Sequence, residues 1–424
     1  MIAKLKNILY FPIASYFRFF AQMRLNRWKP RVIVVTGSNG KTTLFQLLKS
    51  QLGSHAKYSD HANSSFGIPF DILNLHRTTL LKTEWISLFI FAPINAFKPA
   101  PKTDIYVVEA DCDRPGEGKF LASMLRPEVV LWLNTARTHG MNFEGLVKEN
   151  KHLSVEELIA YEFGYFIEYC QKLAIINGDQ ELIDKQKSRS SVEIVSIKKS
   201  IHLESYNISS NDTTFGIHGV AYSFAALLPI DVFYSIVMSE KVTAYLGLPF
   251  DSLFSSLVLP PGRSSLFKGI KDITIVDSCY NANLASMKVI LEMFNTIPGQ
   301  HKWAVLGDML EQGDAEREQH EKLAEIIINM KLERIILMGP RVSKYTYPEL
   351  KRQMDEKVIL EKFLYPKEVL DYLLENISGN ETILFKGARF LEGVIENLLA
   401  NKEDVKKLSR REKVWEIRRK QWGL

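Results

Sequence analysis

The stretch Gly37-Ser38-Asn39-Gly40-Lys41-Thr42-Thr43 constrains this chain more than any other. The β-branched run Val32-Ile33-Val34-Val35 precedes it, and the apolar residues 44–52 follow, closing at Gly53. Strand, glycine loop and helix in that order leave backbone N–H groups unpaired and aim the positive end of a helix dipole at one point, where phosphate oxygens fit. All seven residues are therefore assigned to nucleotide binding. Lys41, read as exposed in the loop, brings a charge to the β and γ phosphates, and the Thr42 hydroxyl faces Mg²⁺. The usual spacing has a glycine five residues before Gly40, where this chain has Val35, so the loop is a variant. A plain glycine turn explains two glycines, but not Gly-Lys-Thr-Thr directly behind a strand.

The chain has 424 residues, room for two or three domains, and its 46% apolar and 24% charged content is that of a globular protein. Three cysteines, Cys112, Cys170 and Cys279, show no paired spacing, which excludes a disulfide framework or zinc knuckle and fits a reducing cytoplasm. The net charge of +5 gathers largely at the two chain ends, so nucleic acid is not an expected partner.

Residues 1–30 mix aromatic and aliphatic side chains with Lys4, Lys6, Arg18, Arg24 and Arg27. The longest uncharged run, 7–17, is too short to cross a bilayer, which takes about 20 residues. Two readings stand: an amphipathic helix in a membrane interface, or a helix packed on the next domain. Residues 85–97 are nearly all apolar and read as a buried helix or a hydrophobic flap. Two further strand-like runs follow. One delivers Glu109 at its carboxyl end, the other Asn134, with His139 five residues beyond. In open α/β sheets ligands gather at the carboxyl ends of strands, so Lys41, Thr42, Glu109 and His139 are expected in one crevice. Thr42 and Glu109 would then hold Mg²⁺, with His139 suited to a second divalent ion. The plainer role for Glu109 is a helix cap.

These residues resemble the Mur ligases, which form amide bonds in bacterial wall precursors. The loop 36–43 is similar to that family's phosphate motif. Glu109-Ala110-Asp111-Cys112-Asp113-Arg114-Pro115-Gly116-Glu117 is similar in spacing to the metal-carboxylate segment of the branch that adds D-alanyl-D-alanine. Pro261-Gly262-Arg263, Asp277 to Asn283, and 304–313 with His320 follow in that branch's order, each explicable alone as linker, turn or cap. The resemblance implies an α/β fold: a central P-loop domain with a mostly parallel sheet, then a Rossmann-like α/β domain. The expected boundaries are 1–30 for the N-terminal segment, 31–262 for the ATP-binding domain, 263–400 for the ligase domain and 401–424 for a basic tail. Within the ligase domain, strands are expected at 274–276, 303–306, 335–338 and 383–385. A helix should bury Met287, Ile290, Leu291 and Phe294 on one face.

The implied activity is ATP-dependent ligation of a carboxylate to an amine through an acyl phosphate, on a cell-wall peptide or related precursor. Lys41, Glu109 and His139 would be catalytic; Arg263, Asp277 and Asn281 would hold the nucleotide, and Lys386 and Arg389 the substrates. As plain residues, Lys386 and Arg389 would be solvated cations at a helix start. The partners are ATP, Mg²⁺, a carboxylate-bearing precursor, an amino acid or peptide amine, and a membrane surface. The location is cytoplasmic, peripheral at the inner face of the membrane. The alternative is a membrane-associated ATP-binding switch with a degenerate ligase site.

Three departures from the family pattern bear on this reading. Only about 30 residues precede the phosphate strand, too few for the branch's uridine-nucleotide domain of at least ~50 residues, which agrees with a lipid-linked acceptor. The lysine that relatives carboxylate for the second metal has no counterpart near 161–163, where Glu162 stands; Lys148 and Lys151 are the other candidates. Asp231 and Ser235 occupy the region of a usual histidine–asparagine pair. The tail, with Trp415 and Trp422 among basic residues, reads as a solvated helix or a second membrane contact.

Overall fold

The computed structural model describes residues 2–59, 62–77, 83–149, 153–388 and 390–423, with side chains from residue 8 onward. Arg389 and Lys151 lie outside the described residues. The chain forms two compact units, one of residues 1–136, 145–202 and 234–258, the other of 137–144, 203–233 and 259–424.

The first unit is built on a six-stranded sheet: β1 Arg31–Thr36, β2 Ala56–Tyr58, β3 Ile105–Ala110, β4 Val129–Trp132, β5 Leu173–Asn177 and β6 Glu193–Ile197. The order is β2-β3-β1-β4-β5-β6 and every pairing is parallel. β4 and β5 are buried along their whole length, as continuous apolar runs between two helical layers require. The connection from β1 leaves toward β2 and that from β4 toward β5, so the carboxyl ends of β1, β3 and β4 flank the point where the winding reverses.

The N-terminal helix Ile2–Trp28 packs on this unit. Ala14, Phe17 and Ala21 are fully buried, and the Phe17 ring meets those of Phe66, Phe70, Trp85 and Phe89. Trp28 Nε1 donates to the Thr103 carbonyl at 2.6 Å. Of the two readings of this segment, packing on the protein holds, and its buried face cannot also enter lipid. The apolar helix Glu84–Ala96 lies beside it, with Leu88, Ala92 and Ala96 buried and its other face open. Among the described residues no helix is long and apolar enough to cross a membrane.

The second unit carries a three-stranded antiparallel sheet, β7 Leu203–Ile208, β8 Thr213–Ile217 and β9 Val220–Phe224. It also has a six-stranded mixed sheet: β10 Ser265–Lys268, β11 Thr274–Asp277, β12 Lys302–Gly307, β13 Arg334–Met338, β14 Ile359–Phe363 and β15 Thr382–Lys386. The order is β10-β11-β15-β12-β13-β14, parallel but for edge strand β10. Alternate residues feed two cores, Val276, Ala304, Leu306 and Leu384 to one and Ile275, Trp303, Val305 and Phe385 to the other. Helix Leu284–Thr296 buries the expected face and starts in a capping box of Asn283 with Ser286.

The tail touches this unit through a few residues, while most of helix Lys413–Gln421 stays exposed, as the solvated-helix reading expects. Arg411 pairs with Glu396 at 2.6 Å, buried Arg419 donates to the Arg410 carbonyl at 2.6 Å, and Trp415 and Trp422 stack near Phe390.

Candidate active site

The phosphate loop begins where β1 ends. Gly37 has φ 129°, and a Cβ there would stand 2.8 Å from the Asn134 carbonyl oxygen, so no side chain fits. Gly40, left-handed at φ 78°, starts helix Lys41–Leu52 without any side-chain cap, which suits the first-turn N–H groups to an outside anion. Thr43 lies in that first turn.

The loop is braced from the end of β4. Asn134 Oδ1 accepts from Asn39 N at 2.8 Å while its Nδ2 donates to the Asn39 carbonyl at 2.8 Å, and its own carbonyl accepts from Ser38 N at 3.0 Å. Ser38 Oγ donates to the Ala136 carbonyl at 2.9 Å and accepts from Ala136 N at 2.8 Å. These bonds fix the loop backbone to the end of β4.

Lys41 departs from expectation: it is 6% exposed, not a free loop cation. Its Nζ donates to the Gly37 carbonyl at 2.5 Å and pairs with Asp111 Oδ2 at 2.7 Å. Burial alone would lower this ammonium's pKa; the carboxylates of Asp111 and then Glu109 override it and raise the pKa above the usual value, keeping the charge. Asp111 was missed as a site residue, although its spacing of two from Glu109 places both carboxylates on one side at the end of β3. Thr42 Oγ1 donates to Glu109 Oε1 at 3.3 Å, and Glu109 N donates to Ser59 Oγ at 3.0 Å. A hydroxyl and a carboxylate converging here form a hard-oxygen donor set, which fits Mg²⁺.

His139 belongs to the second unit, where its Nδ1 pairs with Glu311 Oε2 at 2.5 Å; that hydrogen bond lowers the pKa of the Glu311 carboxyl. Glu162 is buried, and its two oxygens accept from Gly116 N at 2.7 Å and Gly118 N at 2.9 Å, at the start of helix Glu117–Leu125. That is a helix cap. Lys148 is exposed on helix Glu144–Glu149.

In the second unit, Asp277 ends β11 fully buried. Its Oδ1 accepts from Cys279 N at 3.0 Å, its Oδ2 has no hydrogen bond among the described residues, and burial raises its pKa. Lys386, at the end of neighbouring β15, donates to the Asn281 carbonyl at 3.1 Å. Burial and then the Arg263 cation lower its pKa to about 7. The Arg263 guanidinium lies 4.4 Å over the Tyr280 ring, and the Asn281 side chain accepts from Ala282 N at 2.8 Å. Arg263, Asp277, Asn281 and Lys386 thus share one corner. Asp308 is a cap, accepting from the backbone of Arg341 and Val342 at 3.0 Å each, and His320 Nε2 accepts from Met309 N at 3.2 Å.

A parallel sheet with a phosphate loop behind its central strand, followed by a second α/β unit, defines a two-domain nucleotide-binding protein of the P-loop class. Residues 35–227 match the model of the Mur ligase middle domain, and 262–389 that of the Mur ligase, glutamate ligase domain. The chain belongs to the Mur ligase family. It is similar to the UDP-N-acetylmuramoyl-tripeptide--D-alanyl-D-alanine ligase of Bacillus subtilis, 26% identical over 403 residues, covering 89% of this chain and 78% of that one. It shares the fold of the MurF ligase from Thermotoga maritima solved in complex with ADP, with TM-score 0.71, 22% identity, and 93% and 84% of the two chains covered. MurF from Acinetobacter baumannii superposes with TM-score 0.73, 19% identity, and 91% and 80% coverage.

Proposed function

We propose that this protein is an ATP-dependent carboxylate–amine ligase acting through an acyl phosphate on a peptidoglycan-type precursor. The observation that carries the reading is the phosphate loop with its buried Lys41–Asp111 pair beside Thr42 and Glu109. The names of the curated relatives supply the substrate class, a peptide carboxylate on a UDP-sugar and the amine of D-alanyl-D-alanine.

A carboxylate is a poor electrophile, so one of its oxygens first attacks the γ-phosphorus of ATP, and the bond to the bridging oxygen breaks with its electron pair leaving on ADP. The amine nitrogen then attacks the acyl carbon, the tetrahedral intermediate expels phosphate with its electron pair, and the amine's proton passes to solvent. Catalysis here is positioning and charge neutralisation. Lys41 and the loop N–H groups hold the γ-phosphoryl oxygens; Asp111 aims the ammonium and keeps it charged. Thr42 and Glu109 would hold Mg²⁺, which when bound would supply further positive charge at the phosphates. Of the second unit, Arg263, Asp277 and Asn281 would hold the nucleotide, and Lys386 the substrates.

ADP release measured with ATP, Mg²⁺, a UDP-sugar tripeptide and D-alanyl-D-alanine tests this. Release that requires both acceptor and amine, with the joined peptide appearing in step, is expected. ATP binding without partner-dependent turnover would sink the ligase and favour a nucleotide-binding switch.

A further inference from the structure

Apart from Glu84, Ser87 and Asn95, every residue of helix Glu84–Ala96 is apolar, a composition that belongs inside a core or in lipid. Only one side is covered: Leu88, Ala92 and Ala96 face the protein, whereas Ile86, Ile90 and Ile94 are 65%, 56% and 51% exposed and Phe91 and Phe97 are 48% and 61% exposed. The three isoleucines recur every fourth residue and so form one ridge. An exposed contiguous ridge of large aliphatic and aromatic side chains marks an interaction surface.

We propose that this ridge docks the protein on an anionic lipid surface, the helix lying along it. Thirteen residues are too few to cross a bilayer but enough to sink one face at the headgroup level. The surrounding charge selects the partner. The neighbouring N-terminal helix has no carboxylate; of its described cations Arg24 is buried and Arg18 donates to Ser123 Oγ at 3.0 Å, which leaves Arg27 exposed, and the one acid of the ridge helix, Glu84, is paired with Arg77. Arg27 donates to the Ala96 carbonyl at 2.9 Å and lies 5.8 Å over the Phe97 ring, so an exposed cation sits at the end of the ridge; Lys29, Lys98 and Lys102 are exposed nearby in sequence. Apolar side chains that insert, with cations that meet headgroup phosphates, are what an anionic membrane binds. A second copy would bring the same cations to face themselves across a two-fold contact.

Co-sedimentation of the full chain with phosphatidylglycerol–phosphatidylcholine vesicles, against phosphatidylcholine alone, tests this without reference to ligase activity. Wild type should pellet with the anionic vesicles at low salt and less at high salt. Ile90→Asp/Ile94→Asp, which alters only exposed positions and should keep the circular dichroism of wild type, should partition at least about tenfold more weakly. No pelleting of wild type at low salt overturns the proposal, as does equal pelleting of the double variant. A lipid-free wild-type dimer that the double variant turns into a monomer, with no vesicle binding by either, assigns the ridge to a second copy and also overturns it.

Discussion

Lys41 has two tasks that a single substitution separates from those of an ordinary loop cation. Because it is buried against Asp111, Lys41→Ala removes charge from the phosphates and also strands a carboxylate. The variant should lose ATP turnover by roughly 10²–10³-fold or more and unfold at lower urea, with Asp111→Asn added in the same chain recovering part of the stability but no activity. Wild-type turnover in Lys41→Ala would remove the phosphate-loop assignment. Lys386 makes a prediction of the opposite kind. Burial pushes its pKa down to about 7 in the fold from the ordinary lysine value of 10.5, so between those pH values the unfolded chain binds a proton that the folded site refuses. The folded chain therefore gains stability from this residue as pH rises from 7 toward 10, and below 7 the contribution is flat. Lys386→Met lacks that slope: its stability relative to wild type, from urea midpoints, should fall steadily across pH 7 to 10. A constant difference would mean that Lys386 stays charged in its buried corner.

At the scale of elements, every strand read from the sequence is largely buried, but burial did not suffice: β5 is buried along its whole length and was not among the expected strands. β1, β3, β4, β12, β13 and β15 are apolar runs shielded on both faces, and all were legible. β10 and β14 were not: they are half-exposed edge strands, and Lys268, Glu361 and Lys362 interrupt their apolar pattern. The tail's contacts escaped because they are long-range. Arg410 donates to the Tyr280 carbonyl at 2.6 Å and pairs with buried Glu392 at 3.3 Å, clamping the loop between Asp277 and Asn281 from 130 residues away. If that loop holds nucleotide, Arg410→Ala should raise the KM for ATP several-fold with a smaller change in kcat, and Arg410→Lys should restore little, since the guanidinium meets the Tyr280 carbonyl and the Glu392 carboxylate with two separate nitrogens of its planar fork, a spread that one compact ammonium lacks. An unchanged KM would leave the clamp a purely structural tie.

Across the whole molecule, the order of motifs along the chain was readable, but its division in space was not. Residues 137–144 and 203–233 join the second unit although both precede the expected boundary, and His139 goes with them. No local pattern reports such a choice, because it is decided by which distant surface each segment covers. Asp111 and Asn134 stood at legible strand ends, but their roles come from the partners they meet, Lys41 and the Asn39 backbone. Nucleotide linkage gives a test at this scale. A ligand that binds only the folded chain stabilises it by ~2.7 kcal/mol at a hundredfold excess over Kd, enough to move a thermal midpoint by several degrees. Mg²⁺ with ATP should raise the midpoint of wild type; Lys41→Ala should lose most of that shift, and Glu109→Ala should lose the part that depends on Mg²⁺. In Glu109→Ala, then, ATP with Mg²⁺ should stabilise no more than ATP with chelator, whereas wild type should distinguish the two. Equal shifts for wild type and Lys41→Ala would place the nucleotide away from this loop, and a wild-type shift indifferent to chelator would remove the metal role given to Thr42 and Glu109.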